Sequence, residues 1–174
     1  DNRFKWEEIS TEKSNVFFYD ISKDLAEAVS NILDQTITEM SKLLDVNIQN
    51  TINLVMYNNK YDMDSAVTHK SKTSSEQLTI LGQAFSDEKI VIVLIDDQVF
   101  ETVNHEITHI ISSIATDDSD FLPLWLNEGL SEYSDITPQK YSSILRWGIE
   151  TENLLPFKQL NTFPGDPKET ILAY

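Results

Sequence analysis

The sequence contains no cysteine in its 174 residues. Disulfide bonds and thiolate ligands are therefore excluded, and any metal ion has to be held by nitrogen and oxygen atoms. The lack of cysteine fits a reducing cytoplasm, but it also fits secreted bacterial proteins that avoid disulfides. It does not separate the two compartments.

Basic residues are scarce as well. Thirteen Lys and Arg stand against 29 Asp and Glu, which gives a net charge of −16. An acidic surface repels nucleic-acid phosphates and anionic lipid, so we expect neither nucleic acid nor a membrane surface as a partner. Solubility is the simplest explanation of the acidity, and the sequence does not indicate an oligomeric state.

Long apolar runs are absent too. No stretch of about 20 apolar residues could cross a membrane, and no signal peptide is recognisable, so we expect no membrane insertion. The chain opens at Asp1 without a methionine. We therefore expect that a leader or an upstream region has been removed.

The composition that remains, 40% hydrophobic and 24% charged, is typical of a globular protein. The length suits one domain in two lobes with a sizeable core. Residues 1–14 are polar and predict an N-terminal arm. Residues 15–174 then form the domain, with a β-rich lobe over 15–96 and a helical lobe over 97–174.

The β-rich lobe begins with the pattern of a β-α-β unit. The β-prone runs Val16–Tyr19 and Ile52–Tyr57 enclose a stretch with helical periodicity that Ser22 can cap and that extends to about Val46. Residues 58–77 lack periodicity and predict a surface loop, in which His69 is expected to be solvated.

A hairpin is predicted next. The runs Leu78–Phe85 and Lys89–Leu94 are β-prone and flank the short turn Ser86–Glu88. Gly82 inside the first run marks either a bulge or a place where another backbone comes close. With the helices that follow, the pattern indicates an α+β fold with a mixed sheet and a crossover helix.

The following helix is expected to begin at Asp96 or Asp97 and to contain an HExxH sequence, His105-Glu106-Ile107-Thr108-His109. Each helical residue turns the side chain by about 100°, so His105 and His109 lie about 40° apart and can bind one ion. Glu106 lies about 60° from His109, beside the metal, where it is placed to deprotonate a bound water.

The alternative is that these histidines are ordinary core residues. The apolar residues of the helix are Phe100, Val103, Ile107, Ile110, Ile111 and Ile114. Their mean direction is roughly 170° from the histidine pair, so the histidines are not on the core face. A metal site is the better interpretation.

A second helix is predicted from Pro123 as its first residue, and it carries Glu128, 19 residues after His109. To complete the site it has to return across the first helix. Glu132 lies one turn beyond Glu128 on the same face. It is either an acceptor for a ring N–H of a ligating histidine or an exposed carboxylate, and the sequence leaves both open.

Two further helix starts follow. Thr137-Pro138 predicts a helix that ends with Gly148 as its C′ residue, and Asp166–Glu169 has the cap, proline and glutamate of another helix. Because only two turns remain before Tyr174, we expect the C-terminal end of the domain to be incomplete.

The expected chemistry follows from the donor set. Two neutral imidazoles and one carboxylate leave a Zn²⁺ site with an open fourth position, which is the pattern of a catalytic site. Zinc lowers the pKa of a bound water to about 7. Glu106 takes the proton as the water attacks a carbonyl and then delivers it to the leaving amine.

The stretches HEITH and PLWLNEGLSEY resemble the gluzincin zinc metallopeptidases, which include thermolysin-like endopeptidases and zinc aminopeptidases, and most closely the bacterial peptidase MA-like domains. The resemblance implies a zincin-like fold and one Zn²⁺ per chain. It implies that the zinc ligands are His105, His109 and Glu128, that Glu106 is the general base, and that Asn127 helps to hold the two helices together.

The resemblance also implies a substrate edge. The strand Gly82-Gln83-Ala84-Phe85 would line the cleft, and a peptide or protein substrate would add to it as a further strand. Zinc aminopeptidases carry a glutamate in this strand that grips the free amine, and this chain has none, so an endopeptidase is expected. Tyr174 is the candidate for steadying the oxyanion, unless it is only an aromatic near the chain end. Similar domains imply an extracellular or cell-surface location in a bacterium.

Three functions remain in view. The leading hypothesis is a zinc endopeptidase. The same water chemistry permits a zinc hydrolase that acts on a non-peptide amide or ester. A zincin-like binding domain without turnover is the third, although the usual sign of one, a lost Glu106 or a lost ligand, is absent.

Overall fold

The computed structural model describes residues 3–67, 81–116, 122–134, 142–156 and 160. The strands are β1 (Glu7–Ser10), β2 (Ser14–Phe18), β3 (Ile52–Tyr57), β4 (Gly82–Phe85) and β5 (Ile90–Leu94). The helices are α1 (Lys23–Leu43), α2 (Lys60–Val67), α3 (Val99–Thr116), α4 (Leu124–Tyr133) and α5 (Ser142–Glu150).

The five strands form one mixed sheet in the order β1-β2-β3-β5-β4. The three inner strands are parallel, and β1 and β4 pair antiparallel at the two edges. The mixed sheet and the helices agree with the α+β class expected from the sequence. The predicted β-α-β unit is β2-α1-β3, and the predicted hairpin is β4-β5.

Helices α1 and α3 cover one face of the sheet and form the main core with it. Ser22 caps α1 by accepting a hydrogen bond from the backbone N–H of Leu25 at 3.3 Å. The fully buried side chains of the core come from every layer and include Val16, Leu33, Leu54, Val91, Val103 and Ile107. This packing holds α3 firmly against the β5 end of the sheet.

The opposite face carries a smaller cluster around Tyr19, Tyr57 and Met63. Phe4 stacks on Tyr19 with ring centroids 4.0 Å apart, and Trp6 meets the same ring edge-on at 5.0 Å. The N-terminal residues therefore pack on the sheet through aromatic contacts.

The structure corrects the predicted N-terminal arm. Within residues 1–14, Glu7–Ser10 form the edge strand β1, which pairs with β2. An edge strand is held mainly by backbone hydrogen bonds, so its single apolar residue, Ile9, left no recognisable pattern. The expected boundary at residue 15 does not separate these residues from the sheet.

The predicted loop over 58–77 is also wrong in part, because residues Lys60–Val67 form helix α2. The Oδ1 atom of Asn59 accepts a hydrogen bond from the backbone N–H of Asp62 at 3.0 Å, which caps the first turn. Met63 is buried against the sheet. Met63 is the one buried apolar residue among the helix positions whose side chains are described, and one such residue is too few to show a helical period.

Gly148 does not end its helix as predicted. It lies inside α5, which continues to Glu150. The chain reverses at Glu152, which has the left-handed φ of 55°, and the N–H of Asn153 reaches back to the carbonyl of Gly148 at 2.9 Å. The helix starts predicted at Thr137-Pro138 and at Asp166 lie outside the described residues.

The part of the chain that the structure describes contains no helix with the length and apolarity needed to cross a membrane.

Candidate metal centre

Helix α3 presents His105 and His109 side by side. Their ring centroids lie 4.8 Å apart with the planes nearly perpendicular. Val103, Ile107 and Ile111 point the other way and are fully buried in the core. The helical period therefore separates a core face from a histidine face, as the sequence predicts.

Helix α4 crosses α3 and brings Glu128 to the histidines. The Oε2 atom of Glu128 lies 3.3 Å from Nε2 of His105 and 3.8 Å from Nε2 of His109. The three ligand atoms all lie within 4.8 Å of one another, and no other His, Asp and Glu group of the described residues meets this arrangement. Two imidazoles and one carboxylate are a donor set that suits Zn²⁺.

His105 is surrounded by carboxylates. Its Nδ1 atom lies 3.6 Å from Oε1 of Glu132, on the side of the ring away from Glu128. Burial acts to lower the pKa of His105, but the hydrogen bond to Glu128 and the charges of Glu106, Glu128 and Glu132 outweigh it and raise the pKa above its usual value. When a metal ion is bound, a carboxylate at Nδ1 favours the tautomer with the proton on Nδ1, which leaves the Nε2 lone pair for the ion.

The Nδ1 side of His109 has neutral partners instead. Its Nδ1 atom lies 3.0 Å from Oδ1 of Asn127. Since an amide oxygen only accepts, the Nδ1–H donates to it and Nε2 is left with the lone pair. Burial lowers the pKa of His109, and the charge of His105 lowers it further, while the hydrogen bond to Asn127 and the charge of Glu128 offset this only in part. Asn127 thus links the two helices through a ring nitrogen.

Ser131 is a residue of this site that the sequence interpretation missed. It is fully buried, and its Oγ atom lies 3.1 Å from Nδ1 of His109 and 3.5 Å from Nε2. The same hydroxyl group donates to the carbonyl of Asn127 at 3.2 Å. A signal was present, because Ser131 lies three residues after Glu128 and four after Asn127 and so shares their helix face.

Glu106 lies next to the metal group and is held by strand β4. Its carboxylate accepts a hydrogen bond from the backbone N–H of Ala84. Burial raises the pKa of Glu106 to about 7, helped by the charge of Glu128 and opposed by His105 and by the Ala84 hydrogen bond. A carboxyl group with such a pKa can take up and release a proton near neutral pH.

Strand β4 reaches this position because Gly82 has no side chain. A Cβ at residue 82 would lie 2.5 Å from Cγ2 of Thr102 and 2.7 Å from Cγ of Glu106. Gly82 pairs regularly with Val93, so it marks no bulge. The predicted close approach is real, but the partner is a pair of helix side chains rather than a second backbone.

The register of β4 shows which of its backbone groups point away from β5. Leu81 and Leu94 form a hydrogen-bonded pair, with Leu94 N–H to Leu81 O at 2.7 Å. In an antiparallel ladder the alternate residues then turn their N–H and C=O groups outward, which here are Gly82 and Ala84. Gln83 and Phe85 face β5 instead. Tyr174 and His69 lie outside the described residues.

This mixed fold, with two histidines and a glutamate on crossing helices, defines a metallopeptidase-like domain. The family model of the peptidase MA superfamily matches residues 32–174, and the chain belongs to that superfamily. Neither a curated protein nor a solved structure shows a significant match.

Proposed function

We propose that this protein is a zinc endopeptidase with a zincin-like fold. In this proposal His105, His109 and Glu128 hold the ion and Glu106 is the general base. The observation that carries it is the meeting of the three ligand atoms within 4.8 Å, with Glu106 next to one of them on the same helix. Membership of a metal-dependent peptidase superfamily supports the same assignment.

A Zn²⁺ ion bound there supplies a Lewis acid that lowers the pKa of a water to about 7 and polarises a carbonyl. The protein supplies the proton transfers. Glu106 accepts the proton from the attacking water and returns it to the nitrogen of the leaving amine. In the metal-free chain burial raises the pKa of Glu106, and a bound Zn²⁺ would lower it, which favours the carboxylate form that accepts the proton of the water.

The substrate is proposed to be an extended peptide that adds to the outer edge of β4, the edge that faces away from β5. Gly82 offers its N–H and C=O groups and Ala84 its C=O group, while the Ala84 N–H holds Glu106. Four residues make up this strand, Gly82, Gln83, Ala84 and Phe85, and none is a carboxylate that could grip a free terminal amine. Cleavage inside a chain is therefore favoured over removal of terminal residues.

Replacing Glu106 with Gln tests the proposal. The variant should bind zinc as the parent does, because the three ligands remain. Its turnover rate should fall about 10²-fold to 10⁴-fold. Glu101→Gln, the same change on the same helix, is the matched control. Cleavage is measured by mass spectrometry on a library of protein-derived peptides, and zinc by metal analysis of the purified chain.

Two outcomes would replace the proposal. Cleavage of small amides or esters without cleavage of any peptide would favour a non-peptide zinc hydrolase. One zinc per chain without hydrolysis of any substrate would favour a binding domain. An extracellular or cell-surface location in a bacterium stays a prediction.

A further inference from the structure

A buried polar network lies directly behind the metal group. Asn104 and Thr108 each precede one of the two histidines by one residue, and they are 3% and 0% exposed. On a helix this offset turns their side chains about 100° away from the histidine face. They point to the end of α4 rather than to the metal group.

The hydrogen bonds of this network converge on Ser134, the residue that ends α4. Thr108 Oγ1 donates to Ser134 Oγ at 2.8 Å, and Asn104 Nδ2 donates to the Ser134 carbonyl at 3.4 Å. The Ser134 hydroxyl group in turn donates to the carbonyl of Ser131 at 2.6 Å. Both the backbone and the side chain of Ser134 are therefore held by α3.

Helix α1 fixes the orientation of the amide in this network. The hydroxyl group of Thr36 donates to Oδ1 of Asn104, which leaves the NH₂ group of Asn104 facing Ser134. Thr36 also belongs to the core helix that packs against α3. The end of α4 is thus linked through Asn104 to α1, a helix of the buried core.

We propose that Ser134 is a positioning residue for the metal centre. It locks α4 in one register on α3 and thereby holds Glu128 beside His105 and His109. Ser134 lies six residues from Glu128, about 9 Å along the helix. A slip of α4 by one residue would turn Glu128 by about 100° and remove its Oε2 from the 3.3 Å contact with His105. This inference rests on the proposed metal function.

Zinc affinity is the first test. Ser134→Ala removes the hydroxyl group of Ser134. Thr108→Val removes the hydroxyl group on α3 that donates to it, with little change in the shape of the side chain. Each should weaken zinc binding about ten-fold to a hundred-fold in competition with a chromophoric chelator. Ser134→Thr keeps the hydroxyl group and should restore affinity. Ser112→Ala is the matched control, because this buried hydroxyl group on α3 has no hydrogen-bond partner among the described residues.

The second test measures the register of α4 on α3 in the metal-free protein. The chain has no cysteine, so spin labels can be placed only at introduced ones, Ala115→Cys on α3 and Tyr133→Cys on α4. Both side chains are exposed. The label-to-label distance distribution should broaden or shift with Thr108→Val and should stay unchanged with Ser112→Ala.

The two tests separate the inference from the function on which it rests. A parent chain that binds no zinc, with a register that still depends on Thr108, would refute the zinc function and support the positioning role. Parent-like zinc affinity or register in folded Ser134→Ala or Thr108→Val protein would overturn the inference, and so would an equal effect of Ser112→Ala. If Ser134→Ala and Thr108→Val both fail to fold while Ser112→Ala folds, the network stabilises the fold as a whole rather than the position of α4. That outcome also overturns the inference.

Discussion

Gly82 lies so close to Glu106 that a β-carbon on the glycine would come within 2.7 Å of Cγ of Glu106. Side chains do not tolerate that approach, so either Glu106 or strand β4 has to move if residue 82 gains a methyl group. The N–H of Ala84, two residues along β4, holds the carboxylate of Glu106. The edge strand therefore positions the proposed general base as well as offering a surface for the substrate.

Gly82→Ala should lower peptidase activity without removing the metal. Displacement of Glu106 by about 1 Å should cost roughly a hundred-fold in kcat/KM, since proton transfer depends on its distance from the attacking water. Zinc affinity should stay within about two-fold of the parent, because the three proposed ligands are on α3 and α4. Steady-state cleavage of a fluorogenic peptide and a chelator competition measure the two quantities.

Gly129→Ala is the control for this prediction. A β-carbon at Gly129 would meet nothing within 4 Å, and alanine stabilises a helix interior by about 0.5–1 kcal/mol relative to glycine. It should keep full activity with an unchanged or slightly higher unfolding temperature. Full activity in Gly82→Ala would show that Glu106 does not need the space that the glycine leaves.

The helix positions of the metal group were predictable from local patterns, whereas the meeting of the three side chains was expected only from the resemblance to gluzincin peptidases. The four-residue spacing places His105 and His109 on one face of any helix, and the apolar stripe shows that this face is not the core face. The 3.3 Å contact of Glu128 with His105 depends on the crossing of two helices, which no local pattern encodes. Ser131 shares a helix face with Asn127 and Glu128, but serine is so common on helix faces that this position alone did not single it out.

The fold was predictable where apolar residues repeat at a regular spacing. It was missed where an element is held mainly by backbone hydrogen bonds. The β-α-β unit and the β4-β5 hairpin have strong patterns, and the structure contains both. Strand β1 and helix α2 bury few side chains, so neither has a period to recognise. A glycine inside a strand indicates a close approach, and the sequence predicts this for Gly82. The identity of the close residues depends on how α3 packs against β4, which the sequence does not show.

Glu132 is expected to tune the metal site through His105. Its Oε1 atom lies 3.6 Å from the Nδ1 atom, where a carboxylate holds the ring orientation and makes Nε2 more basic. Glu132→Gln should weaken zinc binding about ten-fold, and Glu132→Ala should weaken it further because no acceptor remains. Glu128→Gln should lose more than either, since it changes a proposed ligand. Equal affinities for the parent and both Glu132 variants would show that Glu132 does not tune the metal site.

The buried phenol of Tyr19 predicts a loss of stability in alkaline solution. Burial and a hydrogen bond to Oδ2 of Asp62, at 3.0 Å, raise the pKa of Tyr19 from 10.0 to about 12. The folded pKa is above the unfolded one, so the stabilisation is fully present below pH 10 and is lost as the pH rises from about 10 to 12. Urea unfolding at pH 8 and pH 11 should show a larger loss for the parent than for Tyr19→Phe.

The control for this prediction is Tyr61→Phe. Tyr61 is 74% exposed, so its removal should leave the alkaline loss of the parent unchanged. Tyr19→Phe itself should be less stable than the parent at pH 8 by about 1.5–3 kcal/mol, because it loses a hydrogen bond to a charged acceptor. An alkaline loss of the same size in Tyr19→Phe would assign the effect to other groups, such as Tyr57, whose pKa burial also raises.

Zinc should stabilise the folded chain by binding across two helices. Ligands that bind only the folded state add about 2.7 kcal/mol to the free energy of unfolding at a concentration 100 times the dissociation constant. His105 and His109 are on α3 and Glu128 is on α4, so zinc removal should also speed amide hydrogen exchange in α4 more than in α1. Chelator-treated and zinc-loaded protein are compared by denaturant unfolding and by exchange mass spectrometry. His109→Ala removes one proposed ligand and should abolish both effects, and zinc-dependent stabilisation of the same size in that variant would place the ion somewhere else in the chain.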